Sequence, residues 1–130
     1  MAKDMREVSS KIRILPYDLS VCRVPTVTDK VLDLDFFFIC RTDDEISLVC
    51  RTEDVPKDTT DREGGWRAMR FEGVLDFSLV GILSKVSGTL AEEGISIFAT
   101  STYNTDYVLV KRDDFDKAVK ALKKAGYEVE

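Results

Sequence analysis

The segment Val80–Ile97 of the sequence, VGILSKVSGTLAEEGISI, predicts a helix that is followed at once by a strand. Ser78 is placed to cap the start of this helix, and Gly94 stands where a glycine commonly ends one. The isoleucines after Gly94, together with Phe98, predict the strand. Apolar residues recur at spacings of three and four and form one stripe along the helix: Leu79, Ile82, Leu83, Val86, Leu90 and Ala91.

The residues on either side of this segment complete a unit of four strands and two helices. Trp66–Gly73 predicts an opening strand, and Ile95–Thr102 and Tyr107–Lys111 predict a hairpin. A second amphipathic helix follows and ends at Gly126, and Tyr127–Val129 predicts a closing strand. The order is βαββαβ, which is that of the ferredoxin-like fold. The apolar stripe of the second helix consists of Phe115, Ala118, Val119 and Leu122.

The chain also repeats itself at a distance of 60 residues. This shift places Phe38 on Phe98, and the types of residue match over an apolar strand, a polar turn, a second apolar strand and an acidic segment. The first copy therefore predicts its own hairpin, made of Phe36–Arg41 and Ile46–Arg51. Upstream of the hairpin, the same shift places Leu19 on the start of the helix in the second copy.

The first copy is incomplete. Lys11–Leu15 can supply its opening strand, but Pro25 interrupts any helix that starts near Leu19. Residues 58–65 are too polar and glycine-rich for a second helix and predict a linker or a mobile loop. We expect a half with so few helices to pack on the second half or to lend it a strand. The predicted α+β organisation is a degenerate N-terminal unit at 1–64 and a complete C-terminal unit at 65–130, packed as a pseudo-dimer.

Composition excludes several classes of function. The 130 residues are 44% apolar, enough for a packed core, and their mixed charges sum to −5, which argues against binding a nucleic acid backbone. The absence of histidine excludes Ser-His-Asp, Cys-His and HExxH chemistry. The three cysteines form no CxxC pair and predict buried thiols in a reducing compartment. No apolar run is long enough to cross a membrane and residues 1–10 contain no signal sequence, so we expect a cytoplasmic protein.

Two other segments could hold a site, and the sequence favours a structural role for both. Asp43–Glu45 lacks a second set of metal ligands and is typical of a solvated turn. Trp66 lies beside Met69 and Phe71 and is typical of a core residue rather than of a platform for a nucleic acid base. We find no catalytic constellation, and we expect no enzymatic activity, no metal and no cofactor.

Residues 80–97, followed by Thr100, Ser101 and Thr102, resemble the ACT domain, in particular the regulatory ACT domains of aspartokinases. The resemblance covers about residues 70–130. With the degenerate first copy, the whole chain is similar to small tandem-ACT proteins and to the ACT modules of the CASTOR arginine sensors. The resemblance implies that the chain binds an amino acid or a similar small effector at an interface between two ACT units, and that it has no chemistry of its own.

The resemblance also implies where the effector binds. Backbone N–H groups at the helix start would hold the α-carboxylate, and carbonyl groups of the following strand would hold the α-amino group. Carried over by position, the effector site of the aspartokinase domains falls on Asp76, Leu79, Gly81, Ile82, Leu83, Ser96, Ile97, Phe98 and Asn104.

This sequence departs from the lysine-binding pattern of the aspartokinases at two of these positions. Phe98 stands where an acidic residue is common, and Asn104 stands where glutamate is frequent. Lysine is therefore not the expected ligand, and Asp76 is the candidate countercharge to an amino or guanidinium group. In the first copy, Pro16, Val21 and Cys22 stand at the aspartate, glycine and isoleucine positions of the helix start, so we expect that copy to lack a pocket.

Two functions remain in competition. The first is a module that binds an effector and shifts a conformation or an assembly state, as a homodimer or on a separate partner enzyme. The second is an interaction domain that pairs through its strand edges without a ligand.

Overall fold

The computed structural model describes residues 11–72 and 82–130. These residues form two compact units, one made of residues 17–66 and the other of residues 11–16, 67–72 and 82–130. We call them the N-terminal and the C-terminal unit. The long strand β5 (Asp61–Phe71) contributes its first residues to the N-terminal unit and its last residues to the C-terminal unit.

The C-terminal unit has the predicted βαββαβ order and one additional strand. Its sheet runs β6-β7-β5-β1-β8, and the mixed α+β class is confirmed. Besides the end of β5, its elements are β1 (Lys11–Ile14), α2 (Ile82–Glu92), β6 (Ile97–Ser101), β7 (Asp106–Lys111), α3 (Phe115–Lys124) and β8 (Glu128–Val129).

The additional strand β1 corrects the sequence prediction for Lys11–Leu15. Instead of opening the first half, β1 lies between β5 and β8, with Ile12 opposite Phe71 on one side and Val129 on the other. Its side chains alternate, because Ile12 is buried while Lys11 and Arg13 are exposed. The expectation that the first half lends the second a strand is confirmed.

The core of the C-terminal unit lies between the sheet and the two helices. Val86 and Leu90 of α2 and Ala118 and Leu122 of α3 are buried against Val108 and Val110 of β7 and the apolar residues of β1 and β5. The predicted helix ends are confirmed, since Gly94 and Gly126 have φ angles of +73° and +102°, which glycine adopts without strain.

The N-terminal unit has a fully antiparallel sheet without the additional strand, and its one α-helix in the described residues has four residues. Its sheet runs β3-β4-β2-β5, and a single 3₁₀ turn after β4 stands in the place of a second helix. Its core is a cluster around Cys22, Leu48 and Cys50. Besides the start of β5, its elements are β2 (Leu19–Arg23), α1 (Asp29–Leu32), β3 (Phe37–Arg41) and β4 (Ile46–Arg51).

The 60-residue repeat holds from β3 onward and fails upstream. β3, β4 and the 3₁₀ turn Thr52–Asp54 recur as β6, β7 and the 3₁₀ turn Arg112–Asp114. Leu19, in contrast, opens a strand, because α1 has four residues where α2 has eleven and the opening strand therefore lies nearer to the hairpin. The placement of Val21 and Cys22 at a helix start is wrong, and with it the argument that the first copy lacks a pocket.

Two further predictions need correction. Residues 61–65 are not a linker, because β5 starts at Asp61, and Gly65 (φ +79°) lies where the register with β2 shifts. Gly64 faces Ser20, whose Oγ would lie 3.3 Å from an added Cβ. Cys40 is exposed on β3, whereas Cys22 and Cys50 are buried as expected.

Trp66 was predicted as a core residue and is buried. Asp43–Glu45 was predicted as a solvated turn and forms an exposed turn, so both predictions are confirmed. In the part of the chain that the structure describes, no helix is long and apolar enough to cross a membrane.

Candidate functional site

The predicted effector site lies only partly within the described residues. Asp76, Leu79 and Gly81 lie outside them, and Ile82 is the first residue of α2 that the structure describes. Leu83 follows in the first turn of α2, and its half-buried side chain packs on the core of the unit. Leu83 therefore directs its side chain towards the core, and part of that side chain stays exposed.

The connection from α2 to β6 is short and fixed by hydrogen bonds. The N–H groups of Glu93 and Ile95 both donate to the carbonyl of Leu90, at 3.1 and 3.0 Å. Ile95 is buried, and β6 begins two residues later at Ile97. Ser96, predicted as a site residue, is exposed in this connection.

Strand β6 is an edge strand. It pairs with β7 and with no other strand among residues 11–72 and 82–130. The side chain of Ile97 packs on the core, and Phe98, opposite Leu109, belongs to the other face of the sheet. The predicted residues of this strand therefore lie together at one edge, with side chains on two faces.

The hydrogen bonding of the turn shows which backbone groups reach that edge. The N–H of Thr102 donates to the carbonyl of Thr105 at 2.8 Å, so Thr102 directs its backbone groups towards β7. Because these directions alternate along an antiparallel strand, Ile97, Ala99 and Ser101 direct theirs away from β7. Of the predicted residues on the strand, Ile97 is thus the one whose N–H and C=O reach the edge.

The turn between β6 and β7 is held to β5 by a buried hydrogen bond. Asn104, the last predicted site residue, is exposed in this turn. Its neighbour Thr105 is buried, and the Thr105 hydroxyl donates to the carbonyl of Phe71 in β5 at 2.9 Å. The sequence analysis missed Thr105, because a threonine next to an exposed asparagine carries no signal of burial.

The N-terminal unit carries an aromatic cluster that the sequence analysis also missed. The ring of Phe36 lies 5.1 Å from that of Tyr17 and 5.4 Å from that of Phe38. The guanidinium of Arg51 lies 4.2 Å from the centre of the Tyr17 ring, and a side-chain hydrogen bond with Tyr17 raises the pKa of Arg51. Tyr17 is separated from the other members in sequence, so no local pattern shows the cluster.

The same unit has an open depression of about 470 Å³ between the end of β2 and the turn of the β3–β4 hairpin. Two guanidinium groups line it, those of Arg23 and Arg41, beside the acidic turn residues. Arg23 forms an ion pair of 2.7 Å with Asp61, so its charge is already balanced. Arg41 has no ion pair in the described ranges.

Comparisons with known proteins agree with this geometry. The model of the ACT domain family matches residues 61–124, and a second family model, of an N-terminal domain, matches residues 20–58. The chain is 35% identical over 60 residues to the human and bovine proteins named cytosolic arginine sensor for mTORC1 subunit 1. This stretch is 45% of the chain and 18% of the length of those relatives.

Solved structures extend the likeness to most of the chain. A protein of Agrobacterium tumefaciens superposes with a TM-score of 0.83 at 32% identity, over 92% of this chain and 91% of that one. The ligand-free regulatory subunit of aspartate kinase from Thermus thermophilus has the same fold, with a TM-score of 0.66 at 10% identity over 88% and 96% of the two chains.

The sheet order and the two helices define a ferredoxin-like α+β unit, in which β6 pairs only with β7 among the described residues. Residues 61–124 of the chain belong to the ACT domain family.

Proposed function

We propose that the protein is a non-catalytic regulatory module whose C-terminal ACT unit binds an amino acid or a similar small effector. The observation that carries the proposal is the arrangement of α2 and β6. Leu83 in the first described turn of α2 packs on the core, and the chain returns through a short connection as β6. This strand pairs only with β7 among the described residues, and the backbone groups of Ile97 are directed away from β7. The ACT family match over residues 61–124 supports the same function.

The proposed recognition uses mainly backbone groups. N–H groups at the predicted helix start, those of Gly81, Ile82 and Leu83, bind the α-carboxylate, because the first turn of a helix has donors without partners in the helix. The carbonyl of Ile97 accepts from the α-amino group. Asp76 supplies the countercharge to a cationic side chain, and the effector lies at an interface between ACT units of one chain or of two.

Arginine is the first amino acid to test. The matched curated relatives are named as cytosolic arginine sensors, and Phe98 stands where the lysine-binding aspartokinase pattern commonly has an acidic residue. Binding that differs between two states of the protein would shift their populations, and a partner enzyme or a second copy would read that shift. The same relatives support a cytoplasmic location.

A thermal-shift screen tests this proposal. The twenty amino acids are added one at a time at millimolar concentration, since a ligand that binds only the folded state must raise the melting temperature. We expect a rise with one or two amino acids, which is lost in Asp76→Asn and kept in the control Asp116→Asn, an exposed aspartate on α3. No rise with any amino acid contradicts the proposal.

A specific observation favours a second function, that of an interaction domain. Both β3 and β6 pair with one neighbour only in the described residues, and both consist largely of apolar residues. Under this function the protein binds no amino acid, and Asp76→Asn leaves the oligomeric state unchanged. A substitution in an edge strand changes the oligomeric state.

A further inference from the structure

Two arginines lie directly opposite each other on neighbouring strands of the C-terminal unit. Arg13 of β1 pairs with Arg70 of β5 in an antiparallel ladder. The next pair, Ile12 and Phe71, belongs to the core of the unit, so the side chains of the two arginines lie on the other face of the sheet. Like charges directly opposite on one face are unfavourable. The arginine pair therefore needs negative charge to offset it.

The backbone hydrogen bonds of this ladder show how close the two arginines are. The N–H of Glu72 donates to the carbonyl of Lys11 at 3.0 Å, so Lys11 and Glu72 form a hydrogen-bonded pair. Hydrogen-bonded pairs recur at every second residue, which makes Arg13 and Arg70 the next such pair, with Cα atoms about 5.5 Å apart. The two guanidinium groups can therefore reach one small group that lies between them.

One carboxylate serves both arginines, and both contacts are long. Oε1 of Glu72 lies 3.4 Å from Nη1 of Arg13 and 3.9 Å from Nη2 of Arg70. Charge-assisted hydrogen bonds between guanidinium and carboxylate groups are about 2.7–2.9 Å long. Within the described residues, neither arginine forms a further ion pair. A single carboxylate oxygen at these distances leaves N–H donors of both guanidinium groups available to a ligand.

The carboxylates of β8 next to this pair act mainly on a lysine. Glu130 lies 2.8 Å from Nζ of Lys11, and this hydrogen-bonded ion pair lowers the pKa of Glu130, with a smaller contribution from Arg13. Glu128 lies opposite Lys11 and acts on the same lysine. These two acidic residues balance Lys11 first, so the charge of the arginine pair is offset mainly by Glu72.

The arginine pair is open to solvent, and its chemistry selects the kind of ligand. The side chain of Arg13 is 59% exposed and that of Arg70 is 32% exposed. A carboxylate presents two oxygens, which a single guanidinium fork fills. A phosphate group presents three terminal oxygens and can accept from two forks at once. Two arginines side by side therefore fit a phosphate group better than a carboxylate.

We infer that Arg13 and Arg70 form a binding site for the phosphate group of a small phosphorylated molecule. Glu72 competes with this ligand for both guanidinium groups. The net charge of −5 disfavours a nucleic acid or an anionic lipid surface as the source of the phosphate. The inference goes beyond the proposed function and does not rest on it. The proposed effector site lies at α2 and β6, so the two proposals can fail separately.

Isothermal titration of the full chain with inorganic phosphate and with glycerol 3-phosphate tests the inference. Sodium chloride keeps the ionic strength constant, because salt screens exposed charges. We expect saturable binding at millimolar concentration, weakened about tenfold in Arg13→Gln and in Arg70→Gln, since each variant loses one guanidinium fork. Arg70→Lys keeps the charge without the fork and should bind with intermediate affinity. Arg41→Gln, which removes an exposed strand arginine of the N-terminal unit, is the matched control and should bind like the unchanged protein.

Glu72→Gln separates the inference from a purely structural role of this carboxylate. If Glu72 competes with the ligand, its neutralisation should strengthen phosphate binding about tenfold, and phosphate should raise the melting temperature of this variant more than that of the unchanged protein. If the three side chains form only a structural ion-pair network, Glu72→Gln lowers the melting temperature and phosphate does not restore it. No saturable phosphate binding in the unchanged protein and in Glu72→Gln overturns the inference, and so does binding that both arginine-to-glutamine variants leave intact.

Discussion

Replacing Thr105 by valine tests how the hairpin of the candidate site is held. Thr105 is 8% exposed, and its hydroxyl donates to the carbonyl of Phe71 at 2.9 Å, which joins the β6–β7 turn to β5. Valine keeps the shape of the side chain and removes the donor. The loss of one hydrogen bond and the poorer satisfaction of a buried carbonyl should lower the free energy of unfolding by about 1.5 kcal/mol.

The matched control is Thr102→Val in the same turn. Thr102 is exposed, and the hydrogen bonds of its hydroxyl within the described residues join the Thr105 backbone, at 3.2 and 3.4 Å, so we expect a loss below about 0.5 kcal/mol. Urea unfolding followed by circular dichroism at 222 nm reports mainly the C-terminal unit, which contains the two long helices of the described residues. Equal losses in the two variants, or no loss in Thr105→Val, would refute the reasoning.

Three further outcomes follow from the backbone and the thiols. Gly94→Ala should cost about 1 kcal/mol, because φ is +73° there, whereas Gly88→Ala in the middle of α2, with open space around it, should stabilise by a similar amount; urea unfolding measures both. A thiol reagent at pH 8 should modify Cys40 alone in the folded protein. Burial raises the pKa of Cys22 and raises that of Cys50 to about 12, so rapid reaction of either buried thiol would contradict the structure.

The hairpins were predictable from sequence because their signals are local. In Phe36–Arg41 and Ile95–Thr102, branched and aromatic residues precede a polar turn, and the 60-residue repeat supports each copy with the other. The ends of α2 and α3 were predictable for the same reason, since Gly94 and Gly126 follow directly on an apolar stripe.

Two of the sequence predictions that were wrong concern strands. One is a strand whose partners are distant in sequence, and the other is a segment whose polar, glycine-rich composition is unusual for a strand. Nothing within Lys11–Leu15 shows that this strand pairs with residues near 70 and 129, because the sequence of a strand does not identify the strands it pairs with. Residues 61–65 are polar and contain two glycines, yet these glycines serve a register shift and a close approach to Ser20 inside a strand.

Some features of the candidate site were likewise predictable from sequence, and others were not. The resemblance located β6, and the structure adds that Ile97 directs its backbone groups away from β7 and that Leu83 packs on the core. The backbone direction of Ile97 depends on which residues of β6 form hydrogen bonds with β7, and the packing of Leu83 depends on which face of α2 contacts the core. The sequence does not determine either one locally. The role of Asp76 stays a prediction.

The central claim is that the C-terminal ACT unit binds an amino acid. Isothermal titration of the full chain with each of the twenty amino acids, arginine first, measures this directly. We expect saturable binding of one or two of them with a defined stoichiometry, abolished in Asp76→Asn and unchanged in Asp116→Asn. No binding by any amino acid at millimolar concentration, or binding that Asp76→Asn leaves intact, would contradict it.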